Sequence, residues 1–269
     1  MKRSLFLTLA LLTTWSFTQA QTTRQLKKIL ELHIPRQGGQ NAASVAWHPV
    51  QKKYYASMAG NTKFCIGIYD INGHLLSDSD QEALFDVRGL WYNPNSKTLQ
   101  MNGYKDFGWG EYQLDNKGFP ESVSAVHDGM NQSDEQSPGA YNPGQNLVYF
   151  FNSQGNIDIY DFSDASFKES LTLHLGISSD GPPGDNSSVI DQYNSSTAIY
   201  TGIKGSEIGL LNYDHLEIEL YDISTGLMTK KLSLPSETQV PEARWLNFAF
   251  CNGIYWLFNT EERTWMGFR

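Results

Sequence analysis

One unit of short apolar stretches and tight turns recurs along this chain, and that recurrence constrains the fold more than any other feature. Five segments carry it. They are Trp47-His48-Pro49 before Tyr54-Tyr55-Ala56, and Tyr92-Asn93-Pro94 before Leu99-Gln100-Met101. Then come Tyr141-Asn142-Pro143 before Leu147-Val148-Tyr149-Phe150, and Tyr193-Asn194 before Ala198-Ile199-Tyr200. The last is Phe250-Cys251-Asn252-Gly253 before Ile254-Tyr255-Trp256-Leu257. The aromatic residues at 47, 92, 141, 193 and 250 stand 45, 49, 52 and 57 residues apart. That is the period of a four-stranded propeller blade with loops of variable length.

The second half of the unit repeats as well. Ile66-Gly67-Ile68-Tyr69-Asp70, Ile157-Asp158-Ile159-Tyr160-Asp161 and Ile218-Glu219-Leu220-Tyr221-Asp222 alternate apolar and small or polar residues, as half-buried strands do. A fourth strand follows, clearest in 170–175 and 230–235. Segment 27–35, Lys-Lys-Ile-Leu-Glu-Leu-His-Ile-Pro, resembles 230–235 but precedes the first complete repeat, while the last repeat stops after three strands at Arg269. The pattern therefore predicts an all-β, five-bladed β-propeller closed by an N-terminal strand that completes the last blade. Such closure removes the open edge between first and last blades.

Tyr141-Asn142-Pro143-Gly144 through Asn156-Ile157-Asp158-Ile159-Tyr160-Asp161 resembles a YVTN or WD40-like β-propeller repeat of the kind found in exported bacterial propellers. The resemblance extends over nearly all of 26–269. It implies the fold and leaves function open, because propellers host enzymes, binding modules and scaffolds alike. The Gly-His and Trp-Asp pairs of true WD40 repeats are missing.

Lys2 and Arg3, the apolar run Leu5 to Leu12, and Thr18-Gln19-Ala20 form a secretory signal with cleavage expected after Ala20. Residues 21–269 then make a single domain, free in the periplasm or outside the cell. No Cys follows the apolar run to take a lipid anchor, and no later segment has the length of a membrane span. The formal charge of −9 becomes −11 once Lys2 and Arg3 leave. That excludes nucleic acid, whose phosphates need a basic stripe. Asn131, Asn186 and Asn194 begin N-glycosylation triplets. Cys65 and Cys251 fall at opposite ends of strands in adjacent blades, so the sequence argues against a bridge.

Ligands of such a ring sit on the face shared by the inter-blade loops, about 35–43, 78–88, 126–138, 176–188 and 235–244. Asp191, two residues before Tyr193, is expected on a buried innermost strand as a channel-lining carboxylate. Asp86, Glu135 and Arg244 each precede a repeat aromatic by six, and Arg88 lies near the start of the blade 2 inner strand. Charges of both signs there are expected to clamp a polar ligand, arginine favouring carboxylate or phosphate. Tyr104 and Trp109, in the Gly-rich loop 102–110, are expected to stack on a sugar or a partner side chain. An insert from Lys204 to His215 carries Ile208, Leu210 and Leu211, which need cover.

No zinc, nucleotide or nucleophile motif is present, so no cofactor is implied. Asp78-Ser79-Asp80-Gln81-Glu82 spaces three carboxylates as a calcium loop does, but Ala83 stands where the turn glycine of such a loop belongs. The sequence thus favours a binding or scaffold propeller that recognises a protein, peptide or glycan at the loop face. The alternative is a hydrolase or lyase acting on a sugar or lactone with Asp86, Glu135 and Asp191 as its carboxylates. A purely structural part of an exported assembly is the third reading.

Overall fold

The computed structural model describes residues 22–35, 38–176 and 186–269. The expected signal, 1–20, and much of loop 176–188 lie outside them. Five small, mainly antiparallel sheets make up the ring. Blade 1 is Ala42–His48, Lys53–Met58 and Ile66–Tyr69, and blade 2 is Val87–Asn93, Thr98–Gly103, Trp109–Leu114 and Pro120–His127. Blade 3 is Ala140–Asn142, Leu147–Phe151, Asn156–Asp161 and Phe167–Thr172. Blade 4 is Tyr193–Tyr200, Ile208–Asn212, Glu217–Tyr221 and Met228–Ser233. Blade 5 is Phe248–Cys251, Ile254–Asn259 and Thr264–Phe268, with Lys28–His33 from the N-terminus as its outermost strand.

The expected closure is therefore the one found. Leu30, Glu31, Leu32 and His33 pair with Gly267, Met266, Trp265 and Thr264. Lys27 and Arg269 exchange reciprocal backbone hydrogen bonds of 3.0 Å, so the N-terminal strand and the third strand of blade 5 are zipped together. The preceding residues do something the repeat pattern did not foretell. Thr22–Gln25 runs parallel to Met228–Ser233 as a fifth strand of blade 4. Leu26, buried between the two strands, packs where blades 4 and 5 meet. The N-terminal segment thus ties two blades.

Blade 1 departs from the unit in the other direction, with three strands. After the Asp70–Gly73 turn the chain returns without a regular strand, through isolated bridges of Tyr69 with Leu75 and Cys65 with Glu82 and a Leu76 N–H donated to the Ile68 carbonyl at 2.7 Å. The Ser77 hydroxyl accepts the Ile68 N–H in place of a ladder partner.

Blade 4 corrects the repeat register. Ala198, Ile199 and Tyr200 are the end of the innermost strand, pairing with Leu210, Gly209 and Ile208. The supposed insert is the inner hairpin turn plus the second strand, and Ile208, Leu210 and Leu211 are core residues at 0 % exposure. A register break between Tyr193 and Ala198 lengthens this inner strand. The aromatic equivalent to Trp47 is therefore Tyr200, not Tyr193.

Apolar clusters between successive blades hold the ring. Between blades 5 and 1, Trp256, Trp265, Phe258 and Leu32 pack on Tyr54, Met58 and Val45. Each such side chain contributes about 1.5–3 kcal/mol on burial. Gly89 and Gly139 let two inner strands meet at the channel. A Cβ on Gly89 would lie 2.5 Å from both the Asn102 side-chain oxygen and the Gly139 nitrogen. Cys65 and Cys251 are not joined by a disulfide.

Candidate functional site

Four of the residues singled out in the sequence converge at the channel mouth between blades 2 and 3. Asp86 and Arg88 are buried at 6 % and 3 % exposure and joined by a 2.6 Å ion pair from Arg88 Nη1 to Asp86 Oδ1. Two charges are tolerated there because both are paired and further hydrogen-bonded. Asp86 Oδ1 also accepts the Gly60 N–H, at 2.8 Å, from the blade 1 loop. Arg88 Nε donates to Gln136 Oε1 at 2.7 Å, on the approach to blade 3. The pair therefore spans three blades.

Tyr104 covers the guanidinium, its ring centre 4.7 Å from the Arg88 carbon. The Tyr104 hydroxyl donates to Glu135 Oε2 at 2.8 Å, and Lys105 Nζ lies 3.3 Å from Glu135 Oε1. The hydrogen bond from Tyr104, then that from Lys105, holds the Glu135 carboxyl below the ordinary carboxylate range. The same bond pushes the Tyr104 phenol up. A short helical turn, Lys105–Phe107, presents Lys105 and Tyr104 to this cluster, and Gly108, at φ +67°, ends it. There is no room for a side chain at that glycine, whose Cβ would lie 2.1 Å from the His127 carbonyl.

Arg244 and Asp191 make a second cluster, at the blade 4 to blade 5 crossing. Arg244 Nη1 donates to the backbone carbonyl of Asp191 at 2.6 Å, and Arg244 Nη2 pairs with Asp214 Oδ1 at 2.8 Å. Its guanidinium stands over Tyr213 at 5.5 Å. Asp191 is not the buried strand carboxylate expected. It lies exposed on the turn Ile190–Gln192, ahead of the inner strand, because the blade 4 register is shifted.

Trp109 is likewise corrected. It is 1 % exposed at the start of its strand and stacks on Phe162 at 5.6 Å, with His127 and Trp91 edge-on. It belongs to the core between blades 2 and 3, and no ligand reaches its face. Asn194 is also buried, at 0 % exposure, with its amide donated to the Leu246 carbonyl and the Tyr213 hydroxyl. It accepts no glycan in the folded protein.

Sequence reasoning passed over the asparagines that build the mouth. Asn102 Oδ1 accepts the N–H of Gly89 and of Gly139, stitching blade 2 to blade 3. Asn247 Oδ1 accepts the Ala42 N–H, stitching blade 5 to blade 1. It also passed over Glu219, a carboxylate at 1 % exposure that accepts hydroxyl protons from Tyr193 at 2.8 Å and Tyr221 at 2.7 Å. His215, Glu217 and Glu219 offer ligand atoms within 4.8 Å of one another. Lys231 stands 3.3 Å from Glu217 and 3.6 Å from Glu219, so one lysine pairs with both carboxylates. The Asp78–Glu82 segment instead runs along the edge of blade 1, where the Gln81 carbonyl accepts the Ile66 N–H.

Below the mouth lies a small cavity of about 70 Å³ between the inner strands, lined among others by Ser44, Leu90, Ala140, Thr197 and Phe248. On the loop face itself, Phe107, Met130 and Trp245 are 45 %, 43 % and 45 % exposed. A cleft of about 570 Å³ runs beside Trp245, with Glu242, Glu261 and Arg263 in its walls.

No protein-family model matches this chain, and no curated protein does. Among solved structures, the glutaminyl cyclase of Myxococcus xanthus superposes with a TM-score of 0.58 over 93 % of this chain and 98 % of its own, at 10 % identity. That likeness shows the fold alone. A chain of a nidogen/laminin complex aligns over 74 % of this chain and 66 % of its own, at 8 % identity and a TM-score of 0.43. None of the described helices is long and apolar enough to cross a membrane.

Proposed function

We propose that this chain is an exported propeller, of the YVTN or WD40-like repeat type, that binds a protein or peptide partner on its loop face. The observation that carries the reading is the rim of large apolar side chains, Phe107, Met130 and Trp245, around mouth charges that are already paired. Exposed aromatics beside fixed polar groups are how interface anchors are built. Tyr104, held from below by Arg88, and Glu135 then set the orientation of the partner, and Arg244 supplies a cationic contact.

A photo-crosslinking residue placed at 107 or at 245 in the native host tests this. A discrete crosslinked partner is expected at both positions and not at Phe167, which is equally exposed but on the outer strand of blade 3. The same faint adducts at all three positions would overturn it.

The second reading is an enzyme, and the glutaminyl cyclase likeness favours keeping it, since that protein is a catalyst on this fold. Its carboxylates would be Asp86, Glu135 and Asp191. It ranks second because Asp86 and Glu135 are each held by a cation and Asp191 belongs to a separate cluster. Turnover of a sugar or lactone abolished by Asp191→Asn, with melting unchanged, would reverse the ranking.

A further inference from the structure

The opposite mouth of the channel has a different chemistry. Each blade carries an aromatic residue at the last or next-to-last position of its inner strand there: Trp47, Tyr92, Tyr141, Tyr200 and Phe250. Together they line a basin of about 330 Å³, a size at the lower end of small-molecule sites. None of the residues lining it is charged.

Every one of the five rings is held from behind by another. Trp47 lies 4.5 Å from Tyr54, Tyr92 4.7 Å from His48, and Tyr141 5.9 Å from Trp91. Tyr200 lies 5.7 Å from Tyr149, and Phe250 4.9 Å from Tyr255. The backing rings sit on second strands or on the neighbouring blade, so the ring walls are set by the fold before any ligand arrives. Such pre-organisation lowers the ordering cost of binding.

The polar tips are also informative. Among the described residues, Trp47 Nε1 and the hydroxyls of Tyr92 and Tyr200 make no hydrogen bond to the protein, whereas the Tyr141 hydroxyl donates to Asn146. Trp47, Tyr92 and Tyr200 are half-buried, each joining an apolar body to a polar tip. A basin of fixed aromatic faces, open hydroxyl and indole donors and no charge suits a neutral sugar ring. Its C–H faces lie on the aromatics, and its hydroxyls meet the tips. Among the lining residues an anionic sugar would find no cation, and a cation no carboxylate.

We infer that this basin binds a neutral saccharide unit, such as a terminal hexose of a glycan, on the face away from the proposed protein-binding loops. The inference rests on the basin alone and does not depend on the loop-face reading.

Saturation-transfer NMR tests it, with the mature protein and methyl glucoside, methyl galactoside, methyl mannoside and N-acetylglucosamine as probes, and choline as a cationic control. Transfer to the ring protons of at least one neutral sugar is expected, with a dissociation constant on the order of millimolar. Trp47→Ala should weaken it at least about tenfold, the loss of one stacking wall. Because Trp47 also packs on Tyr54, a second variant, Tyr92→Phe with Tyr200→Phe, removes only two hydroxyls. It should weaken binding severalfold with melting unchanged. No transfer to any neutral sugar would overturn the inference. So would binding that the Tyr92→Phe, Tyr200→Phe variant leaves intact, or choline binding tighter than the sugars.

Discussion

Arg88→Met is the perturbation that most directly tests how the loop-face mouth is built. Methionine keeps about the length of the aliphatic stem but removes the guanidinium and its charge. Asp86, with a side chain only 9 % exposed, would keep the Gly60 N–H and lose its 2.6 Å partner. Removing one member of a buried ion pair costs about 3–5 kcal/mol, chiefly because the other charge stays buried and unpaired. For a domain of this size that lowers the melting temperature by about 6–10 °C, at about 2 °C per kcal/mol. Asp86→Asn alone leaves a buried guanidinium and should cost a comparable amount. The double variant leaves no stranded charge, so it should melt above the sum of the singles, with a coupling energy of at least about 2 kcal/mol. Differential scanning calorimetry on the four proteins completes the cycle. Additive losses, or an Arg88→Met melt within about 1 °C of the parent, would refute the claim that the pair is buried and mutually dependent.

Further outcomes follow from the same structure. Leu32→Ala, at 0 % exposure in the N-terminal strand, should cost about 2–5 kcal/mol by thermal melting; deletion of residues 22–35 should cost far more, and an unchanged melt would rule out strand closure of blade 5. Gly89→Ala should destabilise by about 1–3 kcal/mol through overpacking against Asn102 and Gly139, read by chemical denaturation. Burial raises the phenols of Tyr149 and Tyr255 to about 12. An unfolded tyrosine ionises near about 10. The folded state thus keeps protons that the unfolded state releases, so this stability is complete below about pH 10 and drains as pH rises through about 12. Phenolate absorbance should therefore appear for these residues together with loss of near-ultraviolet dichroism, and a separate earlier rise would contradict it. Glu135→Gln should lower the ionisation of Tyr104 toward the ordinary phenol value, read by titration of a Tyr104→Phe difference spectrum.

Alternation of apolar residues and the turn residues after them were enough to place the strands, because strand period and turn chemistry are local properties. They also determined five blades and closure by 27–35, since a chain whose last repeat lacks a strand has one segment able to supply it. Blade 4 shows where local reading stops. Its inner strand is lengthened between Tyr193 and Ala198, so Tyr193-Asn194 imitates the repeat aromatic while Tyr200 occupies its place. That shift carried Asp191 out of the channel wall and onto an exposed turn. Trp109, in a Gly-rich stretch that reads as a loop, begins a buried strand because Phe162, 53 residues later, stacks on it. The charges at the mouth were visible as residues, but their pairing was not. Arg88 meets Gln136 and Tyr104 meets Glu135 across 48 and 31 residues of chain. The sequence by itself determined that the chain is all-β and how many blades it makes. Tertiary structure alone decided which side chains face one another across the ring, because those contacts join blades and no local pattern encodes the distance between them.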